Sequence, residues 1–181
     1  MLDRSYGVVG RPYNMSSAAP IEVRTGGVIG FCEGFHRACF VESAVNMCSV
    51  DFVGGWAGVS GLHVRARIRG IVGELRGYNK TGTVRNCANY GTVTFAGSVQ
   101  STSLGGVMGL LAGEKASVHL WNCLNYGTIV DRGRSQFRVF IGGVVGYNAY
   151  RMADIDNVVN LGFITTSGNG SNNREESIGA V

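Results

Sequence analysis

Two prolines, twelve acidic residues and no long apolar run set the first limits on this 181-residue chain. A membrane-spanning helix needs roughly 18 or more consecutive apolar residues, and no run of that length occurs. Met1 to Gly10 lacks the apolar centre of a signal peptide, so any export signal is expected upstream of these residues. Apolar residues nowhere recur at the 3.6-residue period of an amphipathic helix, which argues against a helical bundle. Neither HExxH nor a glycine-rich loop continuing as Gly-Lys-Ser/Thr is present, which removes the motif grounds for a zinc peptidase or a phosphate cradle. The formal net charge of +4 is mild, and no nucleic-acid partner is expected from it.

Glycine, by contrast, is abundant, and it recurs in register. Gly26-Gly-Val-Ile-Gly30, Arg69-Gly-Ile-Val-Gly73, Gly105-Gly-Val-Met-Gly109 and Gly142-Gly-Val-Val-Gly146 repeat one block, and Gly179-Ala-Val181 begins it again. The second Gly of each falls at 27, 70, 106, 143 and 179, at intervals of 43, 36, 37 and 36. A second block reads aliphatic-x-Asn-Cys-x-Asn-x-Gly-x-aliphatic. It starts at Val84, Leu120 and Ile155, with a degraded copy at Val41, and Asn86-Cys-Ala-Asn-Tyr-Gly-Thr-Val93 returns almost unchanged as Asn122-Cys-Leu-Asn-Tyr-Gly-Thr-Ile129. From the second Gly of the first block to the central Asn of the second the distance is 19, 19, 19 and 17 residues, so the two blocks move as one unit.

Each block reads as a short strand, because Val, Ile, Thr and Tyr suit a pleated surface while Gly and Asn supply corners. A lone unit of 36 residues buries too little apolar surface to offset its ordering entropy, so its neighbours must complete it. The predicted architecture is therefore all-β, a β-solenoid in the manner of a parallel β-helix. Stacking places Asn46, Asn89, Asn125 and Asn160 in one column, where an amide with both donor and acceptor satisfies buried turn backbone and the next amide together. Tyr90 and Tyr126, with Met47 and Leu161 at the same position, form a second column that offers a candidate face for sugar rings.

Five cysteines is an odd number, so at least one has no partner within the chain. Cys87 and Cys123 exchange with Ala44 and Val158 in the other copies, which predicts small buried apolar sites holding free thiols. Cys32, His36, Cys39 and Cys48, spaced C-x3-H-x2-C-x8-C, contain the ligand types of a Cys3His zinc site. That spacing is unfamiliar for zinc, and the expected state is no metal and no cofactor. His63-Val-Arg-Ala-Arg-Ile-Arg69 alternates, so Val64, Ala66 and Ile68 are expected to face the core while Arg65, Arg67 and Arg69 line the outside. Three guanidinium groups on one strand suit sulfate, phosphate or carboxylate partners. Arg132, Arg134 and Arg138 form a second basic patch. No two acids occupy equivalent positions in adjacent repeats, so converging catalytic carboxylates are not expected and no enzyme activity is assigned. Sequons at Asn14, Asn79 and Asn169 fit an exterior location.

Gly142-Gly-Val-Val-Gly-Tyr-Asn148 followed by Ile155-Asp-Asn-Val-Val-Asn-Leu-Gly-Phe-Ile164 resembles the GLUG motif, a glycine-rich repeat of bacterial and some protist surface proteins. The motif also occurs in non-catalytic regions of immunoglobulin-A-specific metallopeptidases. The resemblance spans residues 26 to 181 and implies a repeat scaffold at the cell surface or outside the cell. On this reading residues 26–67 form a degraded repeat with an insertion, and 68–103, 104–140 and 141–177 form three further repeats. Residues 1–25 end a preceding repeat and 178–181 start the next, so the chain is expected to be one array domain from a longer protein. The expected function is a structural or adhesive stalk with weak multivalent contacts to host or matrix glycans or proteins. Exposed strand edges also invite self-association. The alternatives are a carbohydrate-active enzyme on the same stack, or the non-catalytic spacer of a surface peptidase.

Overall fold

The computed structural model describes residues 21–55, 64–113, 115–149, 153–167 and 175–179. The sequons at Asn14 and Asn169, His63, and most of the first and last partial repeats lie outside them. Over the described residues the protein is all-β, and every strand pairing is parallel. Among the described residues no helix is long and apolar enough to cross a membrane.

Three sheets share the strands. The first contains Ile21–Gly26, Val50–Gly55, Val64–Arg69, the long strand Val93–Gly105, and its partners Ile129–Asp131 and Arg134–Gly142. The second contains Cys32–Gly34, Val72–Gly77, Met108–Gly113 and Val145–Asn148. The third is centred on Val118–Asn125, flanked by Gly82–Arg85 and Ala88–Asn89 on one side and Ala153–Asn160 on the other. The chain visits first, second and third sheets in turn and then returns to the first. Val41, Val84, Leu120 and Ile155 consequently lie side by side on successive strands, as do Gly26, Arg69, Gly105 and Gly142.

Parallel strands buried behind two faces read as aliphatic runs, and the inward positions here obey that rule. One apolar cluster lies between the second and third sheets and includes Ile71, Leu75, Val84, Val107, Met108, Leu111 and Leu120. The other backs the first sheet with Phe52, Ile68, Phe95, Leu104, Ile129 and Ile141. Phe52 and Phe95 pack in a tilted arrangement on adjacent strands with centroids 5.6 Å apart. Each strand therefore leans on equivalents one repeat away more than on its chain neighbours.

Candidate functional site

Two corners of this arrangement carry side chains with chemistry. At the corner that follows the third sheet, Asn46, Asn89, Asn125 and Asn160 form a continuous chain of hydrogen bonds. Each Nδ2 donates to the Oδ1 of the next asparagine, at 2.8 Å in all three steps, and also to the main-chain oxygen two residues on, that of Cys48, Gly91, Gly127 or Gly162. In Asn46, Asn89 and Asn125 both amide hydrogens are thus used inside the protein, which removes the cost of burying them. The recurring 19-residue spacing has its physical cause here. Gly27, Gly70 and Gly106 lie directly against the amides of Asn46, Asn89 and Asn125, and a β-carbon on any of these glycines would overlap them.

The residue after each asparagine is pinned by main-chain bonds. Tyr90, Tyr126 and Leu161 donate their N–H to the carbonyls of Asn46, Asn89 and Asn125 at 2.7 to 2.8 Å. Their side chains emerge as a ridge with Met47. Tyr90 and Tyr126 are 47% and 43% exposed, and their rings stack 4.8 Å apart within 3° of parallel. A second, outer ladder was not foreseen from the repeat. Asn157 Nδ2 donates to Asn122 Oδ1 at 2.7 Å, and Asn122 Nδ2 to Asn86 Oδ1 at 3.2 Å. These three and Ser43 hold positive φ near 50°, a backbone region that asparagine tolerates well. The recurrence of Asn86, Asn122 and Asn157 at one repeat position was the available signal.

The other corner joins the first sheet to the second and differs on every pass. On the side facing away from the apolar clusters, the first sheet presents Arg24, Arg67, Ser103 and Phe140 at equivalent positions. Opposite them the second sheet presents Glu74, Leu110 and Tyr147. Glu74 is buried and receives Arg24 Nε, Arg67 Nη1 and, at 2.8 Å, Arg76 Nη2. Burial alone raises its pKa, but the charges of Arg67 and Arg24 outweigh that and hold the carboxyl below its ordinary value. Glu74 is therefore an ionised structural partner rather than a proton donor. Arg67 Nη2 also reaches Glu22 at 3.0 Å, and Arg24 stacks over the Phe31 ring at 4.6 Å.

The strand Val64–Arg69 departs from simple alternation. Val64, Ala66 and Ile68 are buried as expected, and the Arg65 side chain is 50% exposed, but that of Arg67 is only 13% exposed and Arg69 is fully buried. Arg69 is thus not part of an outer contact surface. It stands where neighbouring strands have glycine, and its guanidinium fills the space above Gly109, which also lacks a side chain. Nη2 lies 3.5 Å from Ser103 Oγ, while Nε and Nη1 are buried without a hydrogen-bond partner among the described residues. Burial, with Arg67 nearby, pushes the Arg69 pKa well below its usual value.

Between the charged pass and the aromatic pass lies a notch of about 220 Å³. Ser101 and Ser103 sit on its central strand, Arg65 and Arg67 on one flanking strand, and Arg138 and Phe140 on the other. Tyr147 stacks on Phe140 across the corner, with centroids 4.3 Å apart and planes 17° from parallel.

The cysteines resolve differently from the zinc alternative. Cys32 and Cys39 form a disulfide with α-carbons 6.2 Å apart, within ordinary reach, so the set Cys32, His36, Cys39 and Cys48 does not assemble as four ligands. Cys87 and Cys123 belong to no disulfide. Cys87 and Cys123 are buried on adjacent strands, where their Sγ atoms donate to the carbonyls of Arg85 at 3.2 Å and Trp121 at 3.1 Å, and as a coupled pair one thiol is held below its ordinary pKa while burial and its neighbour push the other above it. Among the described residues no group of three or more His, Cys, Asp or Glu could hold a metal ion. No family model, curated protein or solved structure matches the chain.

Proposed function

We propose that the protein is a β-solenoid segment, one repeat to a coil, that acts as a stiff structural or adhesive stalk of a cell-surface or secreted protein. The observation that carries this reading is the exposed ridge of Met47, Tyr90, Tyr126 and Leu161, held at strand spacing by the buried asparagine column. A ridge with one aromatic or apolar group per coil offers equal, weak contacts along a line. Their combined strength depends on linkage rather than on any single site. The resemblance to GLUG repeats supports the scaffold reading, and the Cys32–Cys39 disulfide supports an oxidising compartment. Host or matrix glycans are the preferred partners because aromatic faces stack against sugar rings.

The test compares the chain with its Tyr90→Ala, Tyr126→Ala double variant on surfaces densely coated with glycan and against the same sugars free in solution. Retention of the native chain on the dense surface, lost at least tenfold in the variant with weak binding to free sugar in both, is the expected result. Equal retention of the two proteins would overturn the ridge as the adhesive face.

A further inference from the structure

The notch at the first corner has a composition that the ridge lacks. Five guanidinium groups, those of Arg24, Arg65, Arg67, Arg69 and Arg76, belong to its charged wall, against the three carboxylates of Glu22, Glu33 and Glu74, and Arg138 stands on the other flank. The carboxylates are outnumbered, and Arg65 Nη1, 3.8 Å from a Glu22 that Arg24 and Arg67 also contact, is only partly compensated and stays half exposed. Fully buried Arg69 adds two N–H-bearing atoms with no acceptor, and its Nη2 contacts the hydroxyl of Ser103 on the notch's central strand. Guanidinium charge in excess of carboxylate at a cavity calls for an anion, since a charge-assisted bond from arginine to carboxylate or sulfate is stronger than a neutral one.

The opposite wall asks for something else. Phe140 and Tyr147 present a stacked aromatic pair, while Ser101 and Ser103 add small hydroxyl-bearing side chains between the two walls. At about 220 Å³ the space is smaller than the roughly 300–1,000 Å³ of pockets for drug-sized ligands, and it suits one ring. A ring with an apolar face, several hydroxyls and one negative group matches all three surfaces.

We propose that this notch binds a single acidic sugar residue, a pyranose carrying a carboxylate or a sulfate, within a polysaccharide. The assignment deepens the adhesive reading by naming a class of glycan, and it adds a discrete site to the diffuse contacts of the ridge. Arg65 supplies the charge, and the Phe140–Tyr147 pair supports the ring. Arg67 stays engaged by Glu22 and Glu74 and positions the wall.

The experiment is a calorimetric titration of the full chain with trigalacturonate, a sulfated galactose trimer, neutral galactotriose and inorganic sulfate. Either acidic trimer should bind at least tenfold more tightly than the neutral one and than sulfate alone, and the stronger of the two identifies the natural substituent. Arg65→Ala and Tyr147→Ala should each weaken that binding at least fivefold at unchanged melting temperature. Ser101→Trp should abolish it by filling the notch; the other two variants carry the test if this one does not fold. Tyr90→Ala, Tyr126→Ala should leave the affinity unchanged, which separates failure of the notch from failure of the ridge. Equal binding of neutral and acidic trimers, sulfate binding as tight as the sugars, or indifference to Arg65→Ala and Tyr147→Ala would each overturn the proposal.

Discussion

The two corners of this protein solve the same problem, turning a chain between parallel sheets, in opposite ways. The asparagine corner repeats one residue on every pass, and each amide satisfies the next, so the solution is good only because it is copied. The first corner changes on every pass, from Arg24 with Phe31, to Arg67 with Glu74, to Ser103 with Leu110, to Phe140 with Tyr147. Repetition there would have produced a featureless edge. Variation produces a charged wall, a gap and an aromatic wall in succession. The periodic part of such a chain builds the support, and on the proposed reading departures from the period build recognition.

Neutralising the centre of the variable corner should have the largest effect. Glu74→Gln leaves Arg24, Arg67 and Arg76 without their shared carboxylate, and breaking a buried ion pair costs about 3–5 kcal/mol. The pKa of Glu74 is depressed in the folded state, so its contribution is complete above its unfolded value of about 4.3 and is lost as pH falls through the lower folded value. The variant should therefore melt well below the native protein at pH 7, and the gap should close on acidification below about pH 4. Thermal melts by circular dichroism at a series of pH values would show this. A constant gap would mean that Glu74 is not held ionised by its neighbours.

The repetitive corner should answer next. Asn125→Ala removes an acceptor for Asn89 and donors to Gly127 and Asn160, all buried or partly buried, at a cost of about 2–4 kcal/mol. At about 2–4 °C per kcal/mol for a chain of this size, melting should fall by roughly 5–15 °C. Asn122→Gly provides the control. It deletes the same amide chemistry from the exposed outer ladder while keeping the positive φ accessible, and should cost less than about 0.5 kcal/mol. Similar losses in the two variants would contradict the claim that burial distinguishes the ladders.

The difference between the corners also decides what could be foreseen. A column made of one residue type announces itself in sequence, because Asn46, Asn89 and Asn125 keep a 19-residue spacing to the glycine pair and Asn160 departs from it by only two. The packing of Gly70 and Gly106 against Asn89 and Asn125 explains why that spacing is kept. Arg65, Ser101 and Arg138 lie some 36 residues apart in turn and share no motif, so their juxtaposition follows only from strand register. Arg69 looked like one more outward arginine. Its burial depends on the empty space above Gly109, forty residues away, which local alternation does not reveal. The Cys32–Cys39 bridge was equally hidden, since it depends on the path between two short strands in different sheets.

Arg69 is the point where the two modes meet, a variable residue inserted into the glycine column of the repeat. The guanidinium has two buried nitrogens without acceptors and one long contact to Ser103, with no carboxylate in ion-pair range among the described residues. Replacing such a charge by an apolar side chain of similar length is neutral or stabilising in many proteins, by up to about 4 kcal/mol. Arg69→Met should accordingly leave melting unchanged or raise it by a few degrees. It should also weaken binding of the acidic trimer, by less than Arg65→Ala does, because its charge reaches the notch through Ser103 without lining it. A gain in stability coupled to a loss of affinity would identify a residue kept for recognition at the expense of the scaffold. A melting temperature lowered by more than about 5 °C would instead make Arg69 part of the support, and the line between copied structure and varied site would have to be redrawn at this strand.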